Sequence, residues 1–164
     1  MPHANTSMIR LATPSDAREI AELSRRLVEH GLAWRWQPQR IRSAIGDRDT
    51  VVIVKEVDRT LAGFALAGFS ETTAHISLLA VNRTYQRLGI ATEMLNWLIK
   101  SSRVAGIGRV NLEVRSGNSA AITCYQKLGF EQAGVKTGYY EGIEDATGLS
   151  LILIDQQQEA RRPQ

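Results

Sequence analysis

Apolar positions along the chain change their period several times, and each change marks an element. Ile20, Leu23 and Leu27 recur at three- and four-residue steps, which is one face of a helix. Ahead of them Thr13-Pro14-Ser15-Asp16 supplies a capping hydroxyl, a proline at the first helical position and an acid in the first turn, and Gly31 follows where a left-handed terminator is wanted. The spacing predicts a helix over Pro14 to His30. Gln37-Pro38 reopens a helical pattern through Ile41 and Ile45 to Gly46. Thr50 to Val57 and Leu61 to Gly68 are β-branched or apolar, and the intervening Asp58-Arg59-Thr60 predicts an antiparallel hairpin, with Ala74 to Val81 as a further strand. Gly89 to Val104 carries Ile90, Met94, Leu95, Trp97, Leu98 and Ile99, a stripe broad enough for a helix packed on a sheet. A strand over Arg109 to Arg115 and a helix over Asn118 to Leu128, ended by Gly129, come next. Phe130 to Lys136 and Gly148 to Ile154 are the last strands.

With a first strand ahead of Thr13, the order is strand, two helices, three strands, helix, strand, helix, two strands. That order has no internal repeat and no linker, so it reads as one mixed α/β domain over residues 8–155. Residues 1–7 and 156–164 fall outside the periodic pattern and are expected to be disordered tails. A length of 164 residues with 43% apolar side chains suffices for an ordinary core without disulfides or metals. No apolar run approaches the roughly 18 residues that span a bilayer, and Met1 to Ser7 has no signal-peptide stretch, so a soluble, cytoplasmic protein without membrane contact is expected. Cys124, the one cysteine, reads as a small packing residue, and the three histidines lie at no ligand spacing, so no metal is expected. The formal charge of +3 is scattered, which argues against nucleic acid and leaves room for a small polyanion.

Leu78 to Thr92 is the stretch that carries chemistry: an apolar strand, a polar turn and the start of a long helix. Unpaired amides at a helix start attract anions, and Gly89 lets a phosphate approach the backbone while Ala91 keeps the next turn narrow. The segment has neither the G-K-[ST] ending of a Walker loop nor the G-x-G-x-x-G of a dinucleotide fold.

Gln86, Gly89 and Ala91 match the Q/R-x-x-G-x-G/A motif, and here the chain resembles the GNAT superfamily of acetyltransferases. Asn111 to Ile122 and Cys124 to Phe130 resemble the second signature of that superfamily, L-E-V-R-x-x-N-x-x-A-I-x-x-Y-x-x-x-G-F. Within it the likeness is to the RimI-like protein N-terminal acetyltransferases, through Tyr139-Tyr140 and Glu144-Asp145-Ala146. Ala33-Trp34-Arg35-Trp36 and Thr147-Gly148 depart from their pattern. The resemblance implies the GNAT fold: a mixed, mostly antiparallel sheet of about six to seven strands, splayed between the fourth and fifth, with about four flanking helices.

It also implies acetyl-CoA as co-substrate, with Leu79, Ala80 and Val81 pairing with the pantetheine arm. Gln86, Arg87, Leu88, Gly89, Ile90, Ala91 and Thr92 would hold the pyrophosphate, and Asn118, Ala121, Tyr125 and Lys127 would add contacts. An ammonium must lose a proton before it attacks a thioester; Glu113 is the candidate base, its pKa raised if it is desolvated, and Tyr125 the candidate acid for the departing thiolate. Direct transfer in a ternary complex is expected, since Cys124 lacks an activating partner. Tyr139 and Tyr140 would line the acceptor channel of a protein N-terminus. The Trp34 and Trp36 faces leave a compact cationic amine open as the alternative acceptor, and an acyl-CoA-binding module without catalysis is a third reading. The oligomeric state, monomer or homodimer, stays open.

Overall fold

The computed structural model describes residues 6–153. In chain order these form β1 (Ser7–Leu11), α1 (Ala17–Leu23), α2 (Pro38–Gly46), β2 (Thr50–Val57), β3 (Thr60–Phe69), β4 (Thr73–Val81), α3 (Ile90–Val104), β5 (Arg109–Arg115), α4 (Ser119–Lys127), β6 (Glu131–Tyr140) and β7 (Glu144–Ile152). The strands follow the order β1-β2-β3-β4-β5-β7-β6 in one seven-stranded sheet. Pairs β1–β2, β2–β3, β5–β7 and β6–β7 are antiparallel, whereas β4 and β5 are parallel, so the sheet is mixed as expected.

The chain divides into two compact units: one takes the residues up to Phe69 with Ile76–Leu98, the other Ser70–His75 with the residues from Ile99 onward. In the first, Ile20, Leu23, Ile41, Val54, Phe64 and Leu66 form a buried cluster against which Trp34 and Trp36 pack. Burying each large side chain contributes roughly 1.5–3 kcal/mol before ordering costs. The β2–β3 hairpin turns at Asp58 and Arg59, whose φ values of 48° and 63° are those of the tight turns that match strand twist. Gly63 on β3 permits close packing: a Cβ there would lie 2.9 Å from the Ala80 carbonyl oxygen and 3.1 Å from Met94 Cε on α3.

Ser7, expected in the N-terminal tail, begins the sheet. Ser7 pairs with Val57, and Asp58 N donates to Thr6 O at 2.8 Å. The rest of that tail, and the one expected over 156–164, lie outside the described residues.

The single helix expected over Pro14 to His30 is three pieces. A 3-10 turn at Pro14–Asp16 leads into α1, and Ser24–Val28 forms a wide π turn. Its cause is a buried carboxylate. Glu29, 8% exposed, accepts from Ser24 Oγ at 2.9 Å, from Arg35 N at 2.8 Å and from Trp36 N at 3.1 Å. Meeting those donors swings Glu29 inward, and its own N–H bonds to Ser24 O five residues back.

In the second unit β5 alternates strictly: Val110, Leu112 and Val114 are buried, while Asn111, Glu113 and Arg115 are not. β6 and β7 are longer than the sequence suggested. Both carry glycines and polar residues that look like loop, yet β6 runs on to Tyr140 and β7 begins at Glu144, with register shifts absorbing the irregular positions. Tyr139-Tyr140 and Glu144-Asp145-Ala146 are therefore strand residues flanking a turn at Glu141 and Gly142, where φ is 54° and 73°.

Candidate active site

In the first unit β4 delivers the chain to an exposed turn and then into α3. Leu79 and Val81 are partly exposed and Ala80 is buried, as a strand with one covered face requires. After Val81 comes a short 3-10 turn at Arg83–Tyr85, and Arg87 and Gly89 both take left-handed conformations, with φ of 65° and 80°. Gln86, Arg87, Leu88 and Gly89 are exposed, whereas Ile90 is buried and Ala91 and Thr92 are partly so. The first ladder bond of α3 runs from Glu93 N to Gly89 O at 3.0 Å, so the amides of Ile90 and Ala91 precede it and have no acceptor inside the helix. A Cβ on Gly89 would project into open space. An exposed turn, a bare glycine and amides at a helix start are features that can receive an anion on backbone alone. Gln86, expected to supply a side-chain donor to phosphate, instead donates from Nε2 to Val81 O at 3.0 Å and ties the turn to the strand end. Behind the turn Lys55, almost fully buried, holds Glu93 of α3 at 2.7 Å.

The second unit gathers titratable side chains. Glu113 on β5 stands across from Gly148 on β7, which itself pairs with Gly134 on β6, so the row beside the carboxylate carries no side chains. Both carboxylate oxygens are engaged. Lys136 Nζ donates to Oε1 at 2.8 Å, and His75 Nε2 lies 2.5 Å from Oε2. Burial raises the Glu113 carboxyl, but the hydrogen bonds from Lys136 and His75 outweigh it and leave the group below its ordinary value. The raised pKa expected of a desolvated base is thus corrected, because two N–H donors stabilise the charged form.

Asn118 caps α4 as expected, accepting from Ala121 N at 3.2 Å. Tyr125 on the same helix is buried, edge-on to Phe130 at 5.6 Å between ring centroids, and burial pushes its phenol far above the ordinary range. Lys127 is exposed in the last turn. Tyr140 is half-buried and pushed up to about 12, first by burial and then by Tyr139 and Glu113; the Arg115 guanidinium sits 5.6 Å from its ring centroid. Arg115 also binds Glu144 at 2.8 Å, which fixes that end of the hairpin. Tyr139 lies edge-on to Tyr140, and its own ring has Lys136 Nζ 5.2 Å from its centroid.

Trp34 and Trp36 are placed differently from the tyrosines. Arg25 stacks on Trp34 at 4.9 Å and Arg40 on Trp36 at 3.7 Å, while Trp34 Nε1 donates to Ala21 O at 3.2 Å. Each indole thus has a face covered by a guanidinium of the chain itself. Sequence reasoning missed His75, Lys136 and Arg115. The one signal for His75 was its place at a polar position of an alternating strand. Among the described residues no three His, Cys, Asp or Glu are grouped as a metal would need, and no helix is long and apolar enough to cross a membrane.

Comparison with known proteins identifies the class. Residues 16–130 match the model of the acetyltransferase (GNAT) family, so the chain belongs to that family. It is 30% identical over 151 residues to an N-alpha-acetyltransferase of Sulfurisphaera tokodaii, covering 84% of this chain and 88% of the relative. To the [ribosomal protein bS18]-alanine N-acetyltransferase of Escherichia coli it is 36% identical over 94 residues, which spans 56% of this chain and 64% of that protein's length. The crystal structure of the ribosomal-protein-S18-alanine N-acetyltransferase from Escherichia coli superposes with a TM-score of 0.81 at 25% identity, covering 92% and 96% of the two chains.

Proposed function

We propose that this chain transfers an acetyl group from acetyl-CoA to the N-terminal α-amine of a protein or peptide, directly and within a ternary complex. The observation that carries the amine acceptor is the setting of Lys136: a primary ammonium held 2.8 Å from the Glu113 carboxylate and 5.2 Å from the Tyr139 ring centroid. A carboxylate and an aromatic face together are what an acceptor ammonium needs. The names of the two relatives, an N-alpha-acetyltransferase and a [ribosomal protein bS18]-alanine N-acetyltransferase, support the same reading.

Acetyl-CoA supplies an acetyl group activated as a thioester. The amides of the Gln86–Thr92 turn, including Leu88, Gly89, Ile90 and Ala91, suit its pyrophosphate, and the bare Gly89 fits that role. Arg87 adds a cation there, and the backbone of Leu79, Ala80 and Val81 offers strand-like pairing to an extended arm. A backbone N–H near Val81 would stabilise charge building on the carbonyl oxygen. Asn118 and Lys127 offer polar side chains at the start and end of α4, and Ala121 presents only a methyl group between them. Glu113 supplies the negative charge that draws the proton from the acceptor. Tyr125, kept a phenol by burial, holds the proton for the leaving sulfur. Tyr139 and Tyr140 line the acceptor side. Trp34 and Trp36 steady the loop that follows α1, so a compact cationic acceptor loses the faces that would have enclosed it.

Incubation of the protein with acetyl-CoA and a mixed library of peptides and small amines, read by mass spectrometry, tests the reading. Acetylation at peptide N-termini is expected. Product confined to free small amines would overturn the acceptor assignment and leave the acetyl transfer standing.

A further inference from the structure

Lys55 is a buried cation that the chemistry above leaves unused. Its side chain is 5% exposed, and its Nζ donates to Glu93 Oε1 at 2.7 Å. On β2 it stands directly across from Gly63 of β3, and residues paired in this way share a face of the sheet. That face lies under α3, because a Cβ on Gly63 would point at Met94 Cε and Ile90 Cγ2. The missing side chain leaves the Lys55 stem a path to the helix. Packing alone does not account for the pair. Taking two charges out of water offsets most of their attraction, and apolar side chains of similar volume fill such a space as well or better.

The position of Glu93 on α3 supplies a reason. Its N–H bonds to Gly89 O, so it stands four residues beyond the glycine of the turn, roughly 6 Å along the helix axis. Side chains on a helix lean toward its N-terminus, which brings this carboxylate back toward the free amides. An acid in the first turn engages the same dipole that attracts an external anion, and it lies within the Debye length of about 8 Å at physiological salt. On the acetyl-CoA reading above, on which this assignment rests, we propose that Lys55 is a positioning residue for the cofactor. It draws the Glu93 carboxylate against the sheet and neutralises it, so that the amides of the Gly89 turn meet the pyrophosphate without a competing negative charge. Glu93 is 49% exposed and has solvent to swing into once that bond is gone.

Calorimetric titration of acetyl-CoA into variants of the full chain tests the assignment. Lys55→Met keeps an unbranched stem and removes the charge; at low salt its Kd is expected to rise about 5- to 30-fold over the wild type. That ratio is expected to shrink as sodium chloride is added, as a Coulombic penalty must. In Lys55→Met/Glu93→Gln the competing charge is gone too, and affinity is expected to return to within about twofold of the wild type. A packing defect would persist in the double variant and ignore salt. Wild-type affinity in Lys55→Met, or a loss that survives in the double variant, would overturn the proposal. Glu93→Gln alone keeps the test open if Lys55→Met fails to fold: it is expected to bind acetyl-CoA at least as tightly as the wild type, and weaker binding counts against the assignment. A wild-type protein that does not bind acetyl-CoA would sink the cofactor reading itself, and the role of Lys55 with it.

Discussion

The turn after β4 and the β5–β6–β7 region solve different problems with different material. The turn is made of backbone: two left-handed residues, a glycine with open space beside it and the first amides of a helix, with a side-chain bond from Gln86 to Val81 O helping to hold its shape. The strand region is made of side chains, in which His75, Glu113, Lys136, Tyr139, Tyr140, Arg115 and Glu144 bind one another through hydrogen bonds, ion pairs and ring contacts. A polyanion is well served by fixed dipoles that need no titration. A proton needs groups whose charge responds to their neighbours. The two regions therefore respond to different substitutions.

Glu113→Gln is the sharpest break. It keeps the shape, removes the charge and leaves the backbone cradle untouched, so kcat/KM is expected to fall about 100- to 1,000-fold while acetyl-CoA binding, read by calorimetry, stays within about twofold. A matched loss of affinity would mean that the two regions are not separable. The complementary break is Gly89→Glu. A side chain at φ of 80° is strained by about 1–3 kcal/mol, and a carboxylate there repels a pyrophosphate. Acetyl-CoA affinity is expected to drop about 100-fold, with the NMR signals of His75 unmoved.

How much of each region can be read from the sequence follows the same division. The bounds of β2 and β5 and the Asn118 cap were legible, because alternation and capping are local, and the turn was legible because its glycine spacing is a motif. The π turn at Ser24–Val28 was hidden, since it depends on a carboxylate being met by amides six and seven residues further on. The strand character of Glu144 to Thr147 was hidden by loop-like residues that register shifts accommodate. His75 and Glu113 lie 38 residues apart, and only strand pairing brings them together. The depressed Glu113 carboxyl follows from that meeting, so it too was out of reach of composition or spacing.

A smaller effect probes what the turn rests on. Gly63→Ala would set a Cβ against the Ala80 carbonyl and Met94, both beside the path from β4 into α3. Overpacking of this kind costs about 1–3 kcal/mol, and each kcal/mol lowers the melting temperature of a chain this size by about 2–4 °C. Acetyl-CoA is expected to recover part of that loss, because it binds the folded turn. If the variant melted at the wild-type temperature, β3 would have room to yield, and the close approach would not be what sets the turn.

The smallest change asks whether charge in the strand region is as finely set as the contacts suggest. Lys136→Met removes an exposed cation and one of the two bonds that lower the Glu113 carboxyl, while the burial that raises it remains. The carboxyl is therefore expected to move up, which carbon-13 NMR of the Glu113 side chain reads directly. The sign for stability follows. A carboxyl held below its unfolded value stabilises the fold above that value, about 4.3 for a glutamate, and the contribution is lost as pH falls through the folded value. With Lys136 gone the gap narrows, so less stability is present at neutral pH and less is lost in acid. Chemical denaturation at neutral and acidic pH is then expected to give a shallower pH dependence than the wild type. An unchanged Glu113 titration would mean that His75 and burial set the carboxyl between them, and that Lys136 occupies Oε1 without tuning it.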